Sequence, residues 1–180
     1  DKAEELFALI EPFSGYGFNK AHAASYGMVA YKTAYMKANY PVEFMAALLT
    51  AESSDTEKVS AAINECRRMS IKVLPPDINQ SDIGFKIVSE KESLDAKAIR
   101  FGFSAIKNVG KAAIDAIMEA RVKSEFVSFV DFISRVDARR VNKKVLESLV
   151  KVGSLSSFGT RAALLSSIDE IRLKKAKSSD

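Results

Sequence analysis

The sequence predicts a mainly α-helical chain with one small β-hairpin, in two subdomains meeting near residues 74–98. Three observations carry that prediction. Gly15–Tyr40 holds about twenty residues with no Gly or Pro except Gly27, entered at Asn19 and stopped by Pro41. Further amphipathic runs recur at helical spacing over 56–69, 126–135 and 141–150. Between them lie two short alternating runs, Phe85–Val88 and Ala98–Phe103, separated by a polar connector.

The chain has 180 residues, 47% apolar and 28% charged, enough to bury a core and within the range of ordinary soluble domains. No apolar run reaches the length of a membrane span, and the start DKAEELFALIEPF lacks the pattern of a secretory signal, so the expected location is the cytoplasm, with no membrane partner. Leu6, Phe7, Leu9, Ile10 and Phe13 form an apolar stripe with no cap before it, which reads as a piece of something longer. The one cysteine, Cys66, excludes an internal disulfide and a cysteine-based zinc site.

The net charge of +4 is unevenly spread. Residues 1–95 hold 10 Lys/Arg against 14 Asp/Glu; residues 96–180 hold 17 against 9. A basic C-terminal half suits a polyanion, with nucleic acid the first candidate and a solvated lysine-rich surface the alternative.

In chain order, a Gly-Tyr-Gly bend leads to Asn19, a residue type whose side chain caps helices. The following helix places Asn19, His22, Ser25 or Tyr26, and Val29 along one stripe. Its first turn carries Lys20 and the single histidine, His22, beside N–H groups with no intrahelical acceptor, a seat suited to phosphate. Tyr26, one turn below, could meet a base, or could be core. The rest of the helix is apolar or small on most sides, from Ala23 to Met36, which predicts that it is buried or packed on a partner. Pro41 then opens a short helix to about Ala51. Ser54-Asp-Thr-Glu57 fits a capping box for the helix carrying Val59, Ala62, Ile63, Cys66 and Met69, with Arg67 and Arg68 at its end. Ile71–Leu74 is a strand candidate stopped by Pro75-Pro76.

From Ala105 the pattern is helical again. Asn108-Val-Gly110 is a bend in which Asn tolerates the left-handed conformation and glycine permits close backbone approach. A basic cluster of Arg139, Arg140, Lys143 and Lys144 enters the 141–150 helix. Lys151 and Gly153 then lead through Ser154–Phe158 to Arg161, a last helix over 162–171, and a tail over 173–180 expected to fray. Asp77 and Asp82 lie on a loop at a spacing unsuited to a two-metal site, and no nucleophile–base pair is present.

The run FNKAHAASYGMVAYKTAYMKANYPVEFMAALLTAE resembles the fingers signature of the C-family bacterial replicative DNA polymerases, the alpha subunits of DNA polymerase III. Its typical form is Phe-Asn-Lys-x-His-Ala-x-x-Tyr, a long helix, then Tyr-Pro-x-Glu-Phe-Met-Ala-Ala. The resemblance continues less tightly to about residue 170, through a VLPPDIN turn, a hairpin and an AIKNVG run similar to a helix-hairpin-helix. Ile114 stands where that motif usually has a small residue, and the second bend, around Gly153, is longer than the compact pattern.

The resemblance implies a fingers-type helical subdomain over 1–74, a turn and β-hairpin connector over 75–103, and a tandem helix-hairpin-helix subdomain over 104–172. It implies that Asn19, Lys20, His22 and Tyr26 bind the incoming dNTP. It implies that Lys107, Asn108, Gly110, Lys111, Arg139, Arg140, Lys143, Lys144, Lys151, Gly153 and Arg161 hold duplex DNA by its backbone, independently of sequence. The catalytic acids would lie upstream in a palm domain, so this chain would hold no catalytic residue, bind no cofactor or metal, and be inactive alone. The whole polymerase would use Mg²⁺ and dNTP, with the remaining alpha chain and the replisome as partners. Two other readings stay open: a stand-alone, non-enzymatic helix-hairpin-helix DNA-binding module, and a helical scaffold that packs only on partner proteins.

Overall fold

The computed structural model describes residues 1–15, 19–89 and 97–177. These form two compact units, Asp1–Pro41 and Val42–Asp180.

The first unit is two helices, α1 (Lys2–Ser14) and α2 (Lys20–Asn39). The start of α1, read from sequence as uncapped, is capped by Asp1, whose side chain accepts from Ala3 N–H at 3.2 Å. Leu6, Phe7, Leu9, Ile10 and Phe13 are all exposed. Asn19 caps α2, its Oδ1 accepting from His22 N–H at 3.0 Å. The expectation that α2 is buried is not met within the chain: it contains no buried residue, and Tyr26, Met28, Val29, Tyr31, Tyr35 and Met36 are exposed. The predicted bend before Asn19 lies largely outside the described residues, since Tyr16 and Gly17 fall there.

In the second unit, α3 (Pro41–Ala51) and α4 (Thr56–Arg68) pack with a three-stranded sheet of β1 (Val73–Leu74), β2 (Lys86–Ser89) and β3 (Lys97–Arg100). Asp55, not Ser54, caps α4: its extended backbone aims one carboxylate oxygen at both Glu57 N–H and Lys58 N–H, each at 3.1 Å. A charged acceptor also favours the positive end of the helix, and so prevails over the neighbouring hydroxyl. The predicted hairpin forms, β2 antiparallel to β3 with Ile87 opposite Ile99. The sheet is wider than a hairpin because β1 joins the other edge of β3 in parallel, Val73 opposite Ile99. The predicted connector over 90–96 lies outside the described residues. Met45, Leu49, Cys66 and Ile99 are fully buried in this core. Burial pushes the Cys66 thiol up from its ordinary value, which suits a packing role.

The larger core lies among α5 (Lys111–Arg121), α6 (Phe129–Arg135), α7 (Lys143–Lys151) and α8 (Arg161–Lys177). Phe103, Ile117, Phe132, Leu146, Leu149, Leu155 and Ile168 are among its fully buried side chains. The 75–81 turn is fastened to it. Asn79 exchanges two hydrogen bonds with the Phe126 backbone, at 2.8 and 2.9 Å, and Ile78 N–H reaches Ser154 C=O at 2.8 Å.

Three boundaries differ from expectation. The run read as a strand to Phe103 ends at Arg100 and is followed by a single 3-10 turn, Phe103–Ala105, and the helix expected from Ala105 starts only at Lys111, because left-handed Asn108 stands before it. α6 begins at Phe129 because Ser128 caps it through Asp131 N–H. α8 continues past Ile171 to Lys177, including much of the tail expected to fray.

Candidate nucleic-acid interface

The start of α2 is open. Lys20 and His22 are exposed, and the N–H groups of Lys20 and Ala21 have no acceptor among the described residues. The Asn19 Oδ1 is engaged in capping, so it shapes this end, while the Nδ2 amide has no acceptor among the described residues. His22 and Tyr26, one turn apart, stack with ring centroids 4.4 Å apart and planes tilted by 51°. The two rings share one helical stripe, below the free N–H groups of the first turn, while Lys20, two residues before His22, lies off that stripe.

The first bend has the predicted conformation. Asn108 is left-handed, φ 68°, and Val109 is buried between it and Gly110. Gly110 is the N-cap of α5 with no side chain capping it. The N–H groups of Gly110, Lys111 and Ala112 have no acceptor among the described residues, while Ala113 N–H turns back to Gly110 C=O. A Cβ on Gly110 would meet nothing within 4 Å, so the way to these donors is clear. Ile114, the departure from the usual small residue, is buried in the core.

The second bend is differently made. Gly153 is left-handed, φ 85°, and a Cβ there would lie 2.9 Å from a terminal nitrogen of the Arg161 guanidinium. Its neighbours turn their N–H groups inward: Val152 to Ser148 C=O, Gly153 to Val150 C=O, Ser154 to Leu149 C=O.

Asn108 Nδ2 donates to Ser148 Oγ at 3.2 Å, which brings the first bend against α7. Lys144, Ser148 and Lys151 are spaced by four and three residues and so share one face of that helix. Asn108, Lys144, Lys151, Gly153 and Arg161 are thereby strung along α7 and its C-terminal end.

Arg140, Lys143 and Lys111 are engaged. Arg140 clasps Glu119 with two bonds, at 2.7 and 3.2 Å, and also donates to Ala112 C=O. That hydrogen bonding holds the Glu119 carboxyl below its ordinary value and raises Arg140. Arg140 also lines, with Lys123 and Arg135, a cleft of about 400 Å³. Lys143 pairs with Asp169 at 2.7 Å, which raises its pKa, and Lys111 pairs with Asp115 at 2.8 Å. Lys151 has a looser partner in Glu147 at 3.8 Å. Lys107, Arg139, Lys144 and Arg161 have no acidic partner within salt-bridge distance among the described residues. Ser148 was not predicted. Its only sequence signal is its place one turn before the Val152–Gly153 bend.

Asp77 is used within its turn, accepting from Asn79 and Gln80 N–H at 2.9 Å, and Asp82 pairs with Lys86 at 3.2 Å. Among the described residues no cluster of His, Cys, Asp or Glu could hold a metal ion, and no helix is long and apolar enough to cross a membrane.

Residues 70–164 match the family described as helix-hairpin-helix motif. The chain is 49% identical over 172 residues to the DNA polymerase III subunit alpha of Thermus aquaticus, covering 95% of this chain and 14% of that protein. It is 45% identical over 170 residues to the protein of the same name from Vibrio cholerae and 44% identical over 170 residues to that of Escherichia coli K12, covering in each case 93% of this chain and 14% of the relative. The chain thus spans 14% of the length of these curated relatives.

Proposed function

The chain belongs to the helix-hairpin-helix family, and from that premise we propose that it is the part of a bacterial replicative DNA polymerase, a C-family alpha subunit, that positions the incoming dNTP and grips duplex DNA during template-directed synthesis. The observation that carries this reading is identity of 44–49% to three such subunits over nearly the whole chain. The open bend at Asn108–Gly110 supports it in physical terms. Three free N–H groups at a helix start form a phosphate seat that carries no base information. An enzyme that moves along any sequence needs contacts of that kind.

In this reading 1–74 is a fingers-type segment, 75–103 a connector and 104–172 the DNA-gripping region. Lys20 neutralises the triphosphate at the start of α2, and the tilted His22–Tyr26 pair offers a stacking surface one turn on. Asn19 holds that helix end in shape. Lys107, Lys111, Lys144, Lys151 and Arg161 surround the two bends. Lys143 lies at the start of α7, where it pairs with Asp169, and Arg140, in the turn before that helix, clasps Glu119 and donates to Ala112 C=O beside the first bend, so both serve mainly to hold neighbouring elements. Nucleotidyl transfer by this class uses Mg²⁺ held by carboxylates. The described residues offer no such donor set, and in this reading carboxylates in the remainder of the alpha chain would hold the ion. The replisome and the rest of the alpha chain are the expected partners, in the bacterial cytoplasm.

The test is primer extension by the full-length polypeptide. Lys20→Ala should raise the apparent KM for dNTP roughly tenfold, the worth of one charge-assisted contact, with duplex affinity unchanged. An unaltered KM would remove the triphosphate role. A second reading, an autonomous DNA-binding module, is favoured by the compactness of Val42–Asp180 around its own core. It predicts duplex binding by a full-length polypeptide that incorporates no nucleotide.

A further inference from the structure

The two bends share a left-handed residue and little else. At Gly110 the space in front of the backbone is open, and three N–H groups face it. At Gly153 that space is filled by Arg161. The guanidinium lies where any side chain on Gly153 would have to go, 2.9 Å from the Cβ position, with Ser156 Oγ next at 3.2 Å. The N–H groups of Val152, Gly153, Ser154 and Ser156 all donate to carbonyls of the same segment, at 3.0–3.1 Å, and so offer nothing outward. Arg161 has no acidic partner within salt-bridge distance among the described residues, although four other cations of the sequence-predicted set, Lys111, Arg140, Lys143 and Lys151, do. A planar guanidinium lying against bare backbone, with no acidic partner among the described residues, is a ready donor to a phosphodiester.

We infer that Gly153 is a positioning residue: its left-handed backbone is the seat on which Arg161 is held, and the second bend takes a DNA phosphate through that guanidinium, where the first bend uses backbone N–H groups. The inference rests on the duplex-gripping reading above and assigns Gly153 a role other than direct phosphate contact. It also accounts for the elongated bend: the chain runs on from Gly153 through a 3-10 turn, Ser156–Phe158, and an extended Gly159 (φ 152°) before Arg161 folds back on it.

The test is a salt series with the full-length polypeptide and labelled duplex DNA of arbitrary sequence, from 50 to 200 mM KCl. Each phosphate contact contributes about 0.9 to the slope of log affinity against log salt. Arg161→Ala should lower that slope by about 0.9, narrowing the fall in affinity across the series about three- to fourfold. Arg161→Lys, which keeps the charge, should restore the slope. Gly153→Asn tolerates the left-handed conformation but fills the seat; it should lose the same increment as Arg161→Ala, and the double variant should lose no more than either. Melting curves confirm that each variant is folded at the binding temperature; should Gly153→Asn not be, the Arg161→Ala and Arg161→Lys pair decides the contact alone. An unchanged slope in Arg161→Ala, or additive losses in the double variant, would overturn the inference. Unmutated protein that binds duplex with no salt slope would instead overturn the DNA-gripping reading beneath it.

Discussion

At Gly102 the neighbouring backbone comes so near that a Cβ would sit 2.4 Å from the Gly84 carbonyl carbon and 2.8 Å from the Phe85 nitrogen. Its φ of −84° is open to any residue, so space alone requires glycine there. Gly102→Ala should therefore force the 84–85 and 102 backbones apart and cost about 1–3 kcal/mol, read as a lower urea midpoint; an unchanged midpoint would contradict the packing. Nothing local marks Gly102 as different from Gly84 beside it. Asn108 is the opposite case. Its φ of 68° suits a residue type known to accept that conformation, so the sequence alone located the bend. The residue it touches, Ser148, is forty positions away and could not be read from the motif.

Among elements, several helix starts were legible, because a cap and the N–H groups that donate to it lie within three residues of each other. Asn19 and the start of α2 follow directly from the sequence, as does Pro41 at the start of α3. The start of α4 was read one residue early, since Ser54 and Asp55 are both capping types and only backbone direction distinguishes them. Asp55→Ala should cost about 0.5–2 kcal/mol of stability in chemical melts, and Ser54→Ala far less. Equal losses would return the cap to Ser54. The strand at Val73–Leu74 was anticipated as a strand, but its partner was not. Two residues cannot specify a parallel register, and Val73 lies opposite Ile99 because the core beneath that sheet is shared with α3 and α4.

Across the molecule, the second unit is tied together by charges that also answer to pH. Glu119 with Arg140 joins α5 to the turn before α7, and Glu43 with Lys97 joins α3 to β3 at 2.5 Å. The carboxyls of Glu43, Glu119 and Asp137 are all held below their ordinary values, the first two mainly by side-chain hydrogen bonds and Asp137 mainly by the Arg139 N–H. A carboxyl depressed in the folded state contributes stability that is complete above its ordinary value and lost as pH falls toward the folded one. For Glu119 that loss begins as pH drops below 4.5. Glu119→Gln should be less stable than the unmutated chain at pH 7, and the two should converge in acid. A gap independent of pH would show that the Arg140 clasp is not the cause.

The sequence by itself determined the starts of α2 and α3, the left-handed bend at Asn108, the hairpin and the resemblance that suggests a DNA partner. Each of these is written in residues a few positions apart, within reach of one another's hydrogen bonds and dihedral preferences. Only the tertiary structure decided which cations are left without an acidic partner among the described residues. Arg140 finds Glu119 across 21 residues and Lys143 finds Asp169 across 26, while Arg161 folds back onto Gly153 without an acid. Those pairings depend on how helices pack, and packing is fixed by a core whose contacts join distant parts of the chain.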